Sequence, residues 1–178
     1  MKKWLRKHTP AREALMQSKW LKPLAFALGR PGVWQLNRKS AALGVAIGLM
    51  AGLLPGPTQI LSAVLLAFLL KANLPTAALS TLYTNPITIV PLYMLAYQIG
   101  SFVTGDPGMA APVPTFEFSS AGDFFTQTGQ WIYSLGDTLV IGLAIQGLLF
   151  ALAGYVTVTI LWRLSVGRQW RARKTVSR

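Results

Sequence analysis

Ser40 to Leu70 is a run of 31 residues without a charged side chain, interrupted midway by Pro55-Gly56-Pro57-Thr58-Gln59. About 20 apolar residues make one helical membrane span. Proline lacks an N–H and clashes with the preceding turn, so one smooth helix is excluded. Ala41–Leu54 would reach ~21 Å at 1.5 Å per residue, and Ile60–Leu70 less. Neither half crosses a ~30 Å hydrocarbon core alone, so together they read as a broken span or a re-entrant hairpin. Residues 76–102 form a second uncharged run, broken at Thr84-Asn85-Pro86 with Pro91 following, after a turn at Lys71-Ala72-Asn73-Leu74-Pro75. The two breaks lie 29–30 residues apart and each sets a polar residue beside proline, which suggests an internal repeat. Thr138–Trp162 is a plain span of 25 uncharged residues ending at Arg163.

Between the second run and this span, residues 103–136 are rich in Gly, Pro, Ser and Thr. They read as a loop on the non-cytoplasmic side, with Phe116, Phe118, Phe124, Phe125, Trp131 and Tyr133 resting on the bilayer surface. At the other end of the chain, residues 11–29 read as a basic amphipathic helix. Met16, Trp20, Leu24 and Leu28 repeat at i+4, and Arg12, Lys19, Lys22 and Arg30 lie on the opposite side, with a kink at Pro23. A helix of this kind lies in the head-group layer, its cations drawn to anionic lipid.

Small residues form two stripes. Gly44, Gly48 and Gly52 recur at i+4, and Ala144, Gly147, Ala151 and Gly154 repeat along the last span. Such stripes let helix backbones approach closely, so both are expected to be packing seams, the second a candidate partner for the first, with contact inside the chain and contact between subunits of a homo-oligomer both open.

Charge sets the orientation. Residues 1–39 carry ten Lys/Arg against one Glu, and residues 163–178 carry six against none. The 123 residues between hold Lys71 against Asp106, Glu117, Asp123 and Asp137. Basic ends around an apolar middle place both termini in the cytoplasm. A nucleic-acid module would instead carry its cations interleaved along one polar face, so nucleic acid is not an expected partner despite the net charge of +12. With both ends inside and one plain crossing, residues 40–102 cross an odd number of times. Lys71 on the cytoplasmic side makes Ser40–Leu70 the hairpin and 76–102 the broken crossing; the reverse assignment stays open.

The expected fold class is therefore all-α: a polytopic helical membrane protein with broken or re-entrant helices and an N-terminal amphipathic helix. Its expected parts are a basic cytoplasmic or interfacial region at 1–39, two proline-broken membrane segments at 40–102, a non-cytoplasmic loop at 103–136, a transmembrane helix at 137–162 and a basic cytoplasmic tail at 163–178.

No catalytic constellation is present in the sequence. The single His8 lies in the basic tail, there is no Cys, and no Asp or Glu lies within the uncharged runs. Triad chemistry, histidine or thiolate metal sites and intramembrane carboxylate relays are excluded on residue type. Neither an enzyme nor a metal or cofactor site is expected. The candidate ligand-binding residues are Thr58 and Gln59 at the first break and Thr84, Asn85 and Thr88 at the second. Each break starts a new half-helix, whose unpaired N–H groups and positive dipole end suit phosphate or carboxylate. Asn85 and Gln59 fit equally well as caps that satisfy the broken backbone.

The segments Ala46-Ile47-Gly48-Leu49, Leu54-Pro55-Gly56-Pro57-Thr58-Gln59, Asn73-Leu74-Pro75, Thr84-Asn85-Pro86-Ile87-Thr88 and Tyr93 to Gly100 resemble the bacterial inner-membrane family catalogued as domain of unknown function 2062. The likeness covers roughly residues 20–165 and implies location and architecture, with no biochemical activity attached. A looser similarity of shape is to DedA-type membrane proteins, which have re-entrant hairpins and are implicated in moving lipid-linked phosphates; this chain lacks their intramembrane acidic and arginine residues. Two functions follow as expectations. One is binding or translocation of an anionic lipid or lipid-linked phosphate, helped by the basic collar of Lys19, Lys22, Arg38 and Lys39. The other is a non-transporting scaffold or accessory subunit for an envelope-assembly enzyme.

Overall fold

The computed structural model describes residues 31–56, 58–105 and 121–176, with backbone alone for residues 31, 121, 122, 124, 125 and 167–176. The amphipathic helix expected over 11–29 lies outside the described residues. Every regular element described is helical: α1 (Arg38–Ala51), α2 (Thr58–Leu69), α3 (Leu74–Ser80), α4 (Ile89–Thr104), α5 (Ala121–Ser134) and α6 (Gly136–Val176), with 3-10 turns at Pro31–Trp34 and Thr81–Tyr83. The chain forms two compact units, one of residues 1–83 and 149–178, the other of residues 84–148. Helix α6 contributes its first part to the second unit and the remainder to the first.

In the first unit, α1 and α2 form a hairpin around the Pro55 break. Asn37 caps α1, its side-chain oxygen accepting from the Ser40 N–H at 2.9 Å. At the other end the helix tightens: Leu53 donates to Met50 and Leu54 to Ala51. That tightening releases the Leu49 carbonyl, and the Tyr83 hydroxyl donates to it at 2.7 Å. An orphaned carbonyl at a helix end needs such a partner. The Tyr83 ring also meets Phe150 edge-on, with centroids 6.1 Å apart.

Helix α2 ends in a Schellman turn, with Ala72 donating to Ala67 and Lys71 to Phe68. Lys71 occupies the left-handed position at φ 54°. Glycine is the usual occupant there, and an L-residue costs about 1–2 kcal/mol in this conformation.

The glycine stripe of α1 packs on α3. A Cβ on Gly44 would meet the Asn73 carbonyl oxygen at 2.7 Å, and one on Gly48 would meet that of Ala77 at 2.3 Å. A Cβ on Gly52 would run into the Tyr83 ring. Of the seams that the sequence leaves open, the one these three glycines form lies within the chain, against α3 and the turn after it. Helix α3 follows α1 in parallel after the hairpin, so the nearest backbone comes from the next segment of the chain. The α6 stripe divides: Gly154 abuts the side chains of Val45 and Leu49, on the neighbouring face of α1. Gly147 is buried and Ala151 half-buried. The core between α1, α2 and α3 is built from Ile47, Ala51, Ala63, Ala67, Ala72 and Ala77, small side chains that bring three helices close.

Asn73 pins this arrangement. It is 2% exposed. Its N–H donates to the Ser40 carbonyl at 2.9 Å and its side-chain amide to the Gln35 carbonyl at 3.2 Å. Its side-chain oxygen accepts from both the N–H and the hydroxyl of Thr76, capping α3.

In the second unit, Tyr93 and Ala96 of α4 share a core with Trp131, Leu135 and Leu139. Residues 121–134 are helical, which corrects the expectation of a loop across 103–136. The Gly, Ser and Thr content of that region masked a helical spacing: Thr128, Trp131, Leu135 and Leu139 are all buried, at steps of three and four. Trp131 consequently packs inward, whereas Tyr133 is exposed. Helices α4 and α6 run antiparallel at van der Waals contact, Gly100 facing Thr138 and Gly142 facing Ala96.

Among the described residues one helical stretch, Gly136–Val166, is long and apolar enough to cross a membrane; α2 and α4 are apolar but shorter. Its second half exposes Leu149, Leu152, Leu161 and Leu164. A helix apolar around its circumference and yet exposed suits hydrocarbon better than water.

Candidate functional site

The two breaks hold the residues that local sequence singles out, each in its own unit. At the first, the Thr58 hydroxyl donates to the Pro55 carbonyl at 2.6 Å, and the Gln59 N–H reaches the Gly56 carbonyl at 3.4 Å. The side-chain oxygen of Gln59 is buried with no partner among the described residues. At the second break, Asn85 and Thr88 close on each other. The Asn85 N–H donates to the Thr88 hydroxyl at 2.9 Å, and the Asn85 side-chain oxygen accepts from the N–H groups of Ile87 at 2.9 Å and Thr88 at 3.1 Å. The Ile89 N–H donates to the Asn85 carbonyl at 2.9 Å. Pro91, in the first turn of α4, has no N–H to offer. The donors that would receive an anion at this half-helix end are thus largely committed within the chain. The capping role of Asn85 is the one its geometry performs. Thr84 is half-buried, its hydroxyl without a partner among the described residues. Asn85→Ala is expected to cost about 1 kcal/mol, with faster amide hydrogen exchange confined to Ile87–Ile89.

A different cluster gathers where the first unit brings three helix ends together. Helix α1 and the far half of α6 run antiparallel, so the start of α1 reaches the level of Trp162 and Arg163. The α1–α2 hairpin returns its far end, Lys71, to the same place. The result is an open groove in two parts that share Asn37 and Lys39. One part, ≈ 610 Å³, is lined by Arg38, Lys39, Trp162, Arg163 and Val166. The other, ≈ 370 Å³, is lined by Lys39, Ser40, Leu43, Leu70, Lys71 and Tyr155.

Its electrostatics are one-sided. Arg38, Lys39, Lys71 and Arg163 are all the cations of this unit whose side chains are described, and all of them line the groove. No Asp or Glu occurs in residues 31–83 or 149–178. The positive dipole end of α1 lies at Arg38 and adds to the same field. Among the described residues no acid faces these cations, and Trp162 and Tyr155 line the groove beside them, a pairing of charge with amphipathic rings that suits a membrane–water boundary.

In the sequence Arg38 and Lys39 belong to a basic collar, Lys71 marks topology and Arg163 ends a span. What local pattern misses is their convergence. The available signal was that each lies within a residue or two of an apolar segment's end.

The family model described as an uncharacterized protein conserved in bacteria (DUF2062) matches residues 21–171. The chain belongs to this family. The matched region of this DUF2062 protein takes in both breaks and every cation of the groove. No curated protein and no solved structure matches the chain.

Proposed function

We propose that this is a multi-pass bacterial inner-membrane protein that binds the head group of an anionic lipid in the groove formed by Arg38, Lys39, Lys71 and Arg163. The observation that carries this reading is the convergence of those cations, with no acid among the groove's lining residues, at the level where the apolar stretch of α6 gives way to charge. Helices α1 and α2 are ~21 and ~18 Å long at 1.5 Å per residue, too short to cross a ~30 Å core singly. In this reading their hairpin dips into the bilayer and returns to the groove, and the groove lies on the cytoplasmic face, the side that an excess of Lys and Arg favours. The reading keeps the anionic lipid expected from the sequence and moves its head group from the half-helix ends to the groove, because Asn85 and Thr88 already satisfy one another. Any translocation would start from lipid captured there.

The test is binding of the purified protein, in nanodiscs, to anionic against zwitterionic lipid, together with mass spectrometry of lipid carried through purification. Each basic residue near an anionic surface contributes ~1 kcal/mol. Arg38→Gln with Arg163→Gln is therefore expected to weaken anionic-lipid binding roughly 30-fold and to flatten its salt dependence. Equal binding of both lipid classes would remove the proposal. A stoichiometric protein crosslink in cells without retained lipid would favour the scaffold reading instead.

A further inference from the structure

We infer that the groove selects a lipid whose head group carries two phosphodiesters, a diphosphatidyl lipid, over lipids with a single phosphate; this deepens the anionic-lipid reading and rests on it. The groove is divided. Arg38 and Arg163 face one part with Trp162 and Val166, and Lys71 faces the other with Leu43, Leu70 and Tyr155. Lys39 lies at the junction and lines both. Each part thus has its own cation and its own apolar wall, the arrangement that accepts a phosphate with hydrocarbon chains attached. A single phosphodiester carries one negative charge and would leave one part's cation unmatched. A pyrophosphate monoester would crowd both phosphates at one point and bring chains to one wall alone.

Lys71 supplies the independent observation. It occupies a left-handed backbone position at φ 54° in the turn that ends α2, where glycine is the unstrained choice. Strain of this kind persists where the side chain serves a purpose the backbone does not. A cation at the last turn also complements the dipole of α2, and that role would leave lipid selectivity untouched by its removal. Glycine at position 71 relieves the backbone and deletes the charge in one step, so lost binding cannot be mistaken for a failure to fold.

The experiment compares the full-length protein with Lys71→Gly in nanodiscs containing diphosphatidylglycerol, phosphatidylglycerol or a polyprenyl pyrophosphate at matched total phosphate charge. The unsubstituted protein is expected to prefer diphosphatidylglycerol over phosphatidylglycerol by roughly fivefold, the effect of one cation near an anionic surface. Lys71→Gly is expected to melt at the same or a higher temperature and to lose that preference, its affinity for diphosphatidylglycerol falling by more than its affinity for phosphatidylglycerol. Equal binding of the two glycerolipids by the unsubstituted protein, or a preference that survives Lys71→Gly, overturns the two-phosphate inference while the anionic-lipid reading stands. Tighter binding of the pyrophosphate lipid overturns it as well. Binding to none of the three overturns the underlying reading.

Discussion

Gly142→Ala is expected to be the most damaging single-methyl substitution in the second unit. A Cβ at this position would lie 1.7 Å from the Ala96 carbonyl oxygen and 2.5 Å from its carbonyl carbon. Across the same crossing, a Cβ at Gly100 would lie 1.9 Å from the Thr138 carbonyl oxygen. Those obstacles are helical backbone, which cannot swing aside as a side chain can. The methyl group therefore has to push α4 and α6 apart along their whole contact, opening space around Tyr93 and Ala96, both fully buried. Overpacking of this kind costs about 1–3 kcal/mol, and more where the backbone must move. In a bilayer the loss is felt fully, because close van der Waals packing takes the place of a hydrophobic drive between helices. Thermal unfolding in detergent measures it. Gly154→Ala is the matched comparison: its Cβ would meet the Leu49 Cδ1 at 2.5 Å, the far end of a flexible side chain. That variant should lose less than about 1 kcal/mol. Similar melting of the two variants would show that the α4–α6 crossing is not held at backbone contact.

Asn73→Ala is expected to loosen the first unit by about 2–3 kcal/mol. The substitution removes the cap of α3, typically worth about 1 kcal/mol. It also removes the amide that ties α3 back to the segment before α1, a buried bond whose loss costs about 1–3 kcal/mol. The Gln35 carbonyl retains the Ser40 hydroxyl at 2.5 Å, which limits the damage on that side. Asn73→Ser keeps an oxygen able to cap Thr76 but cannot reach Gln35, and should recover about half the loss. Hydrogen exchange at the Thr76 amide separates the two contributions: it should be fast in the alanine variant and protected in the serine variant. Because Ser40 lines the groove beside Lys39 and Lys71, the alanine variant should also weaken lipid binding without any change of charge.

How far the chain could be read without coordinates differs from one element to the next. The break at residues 55–57 and the break at 84–86 were legible because a missing proline N–H acts within a single turn. The same is true of Asn85: an Asn-Pro-Ile-Thr sequence carries its own caps, and the hydrogen bonds it makes are all within four residues. Residues 121–134 resemble a loop in composition because of Gly129 and several Ser and Thr residues, while among the described side chains the buried positions are Thr128 and Trp131, with Leu135 just beyond the helix end. Periodicity this sparse becomes decisive only when Tyr93 and Leu139 are known to close over it.

The glycine stripe at residues 44, 48 and 52 announced that some backbone would come close, since three missing side chains on one helix face leave a channel. It did not say whose. That α3 fills the channel, and that Gly154 turns instead to Val45 and Leu49, depends on how the α1–α2 hairpin turns the chain back on itself. Nothing within a few residues of the stripe records this.

By itself the amino-acid sequence determined what acts over a turn or two: helical character, the proline breaks, the cap at Asn85, and basic ends flanking an apolar middle. The tertiary structure alone decided which surfaces meet. Arg38 and Lys39 are separated from Lys71 by about thirty residues of chain and from Arg163 by more than a hundred and twenty, yet they line one groove. Propensity and dipole effects fall off within a few residues, whereas the place of a charge in space is the sum of every helix length and turn between it and its neighbours.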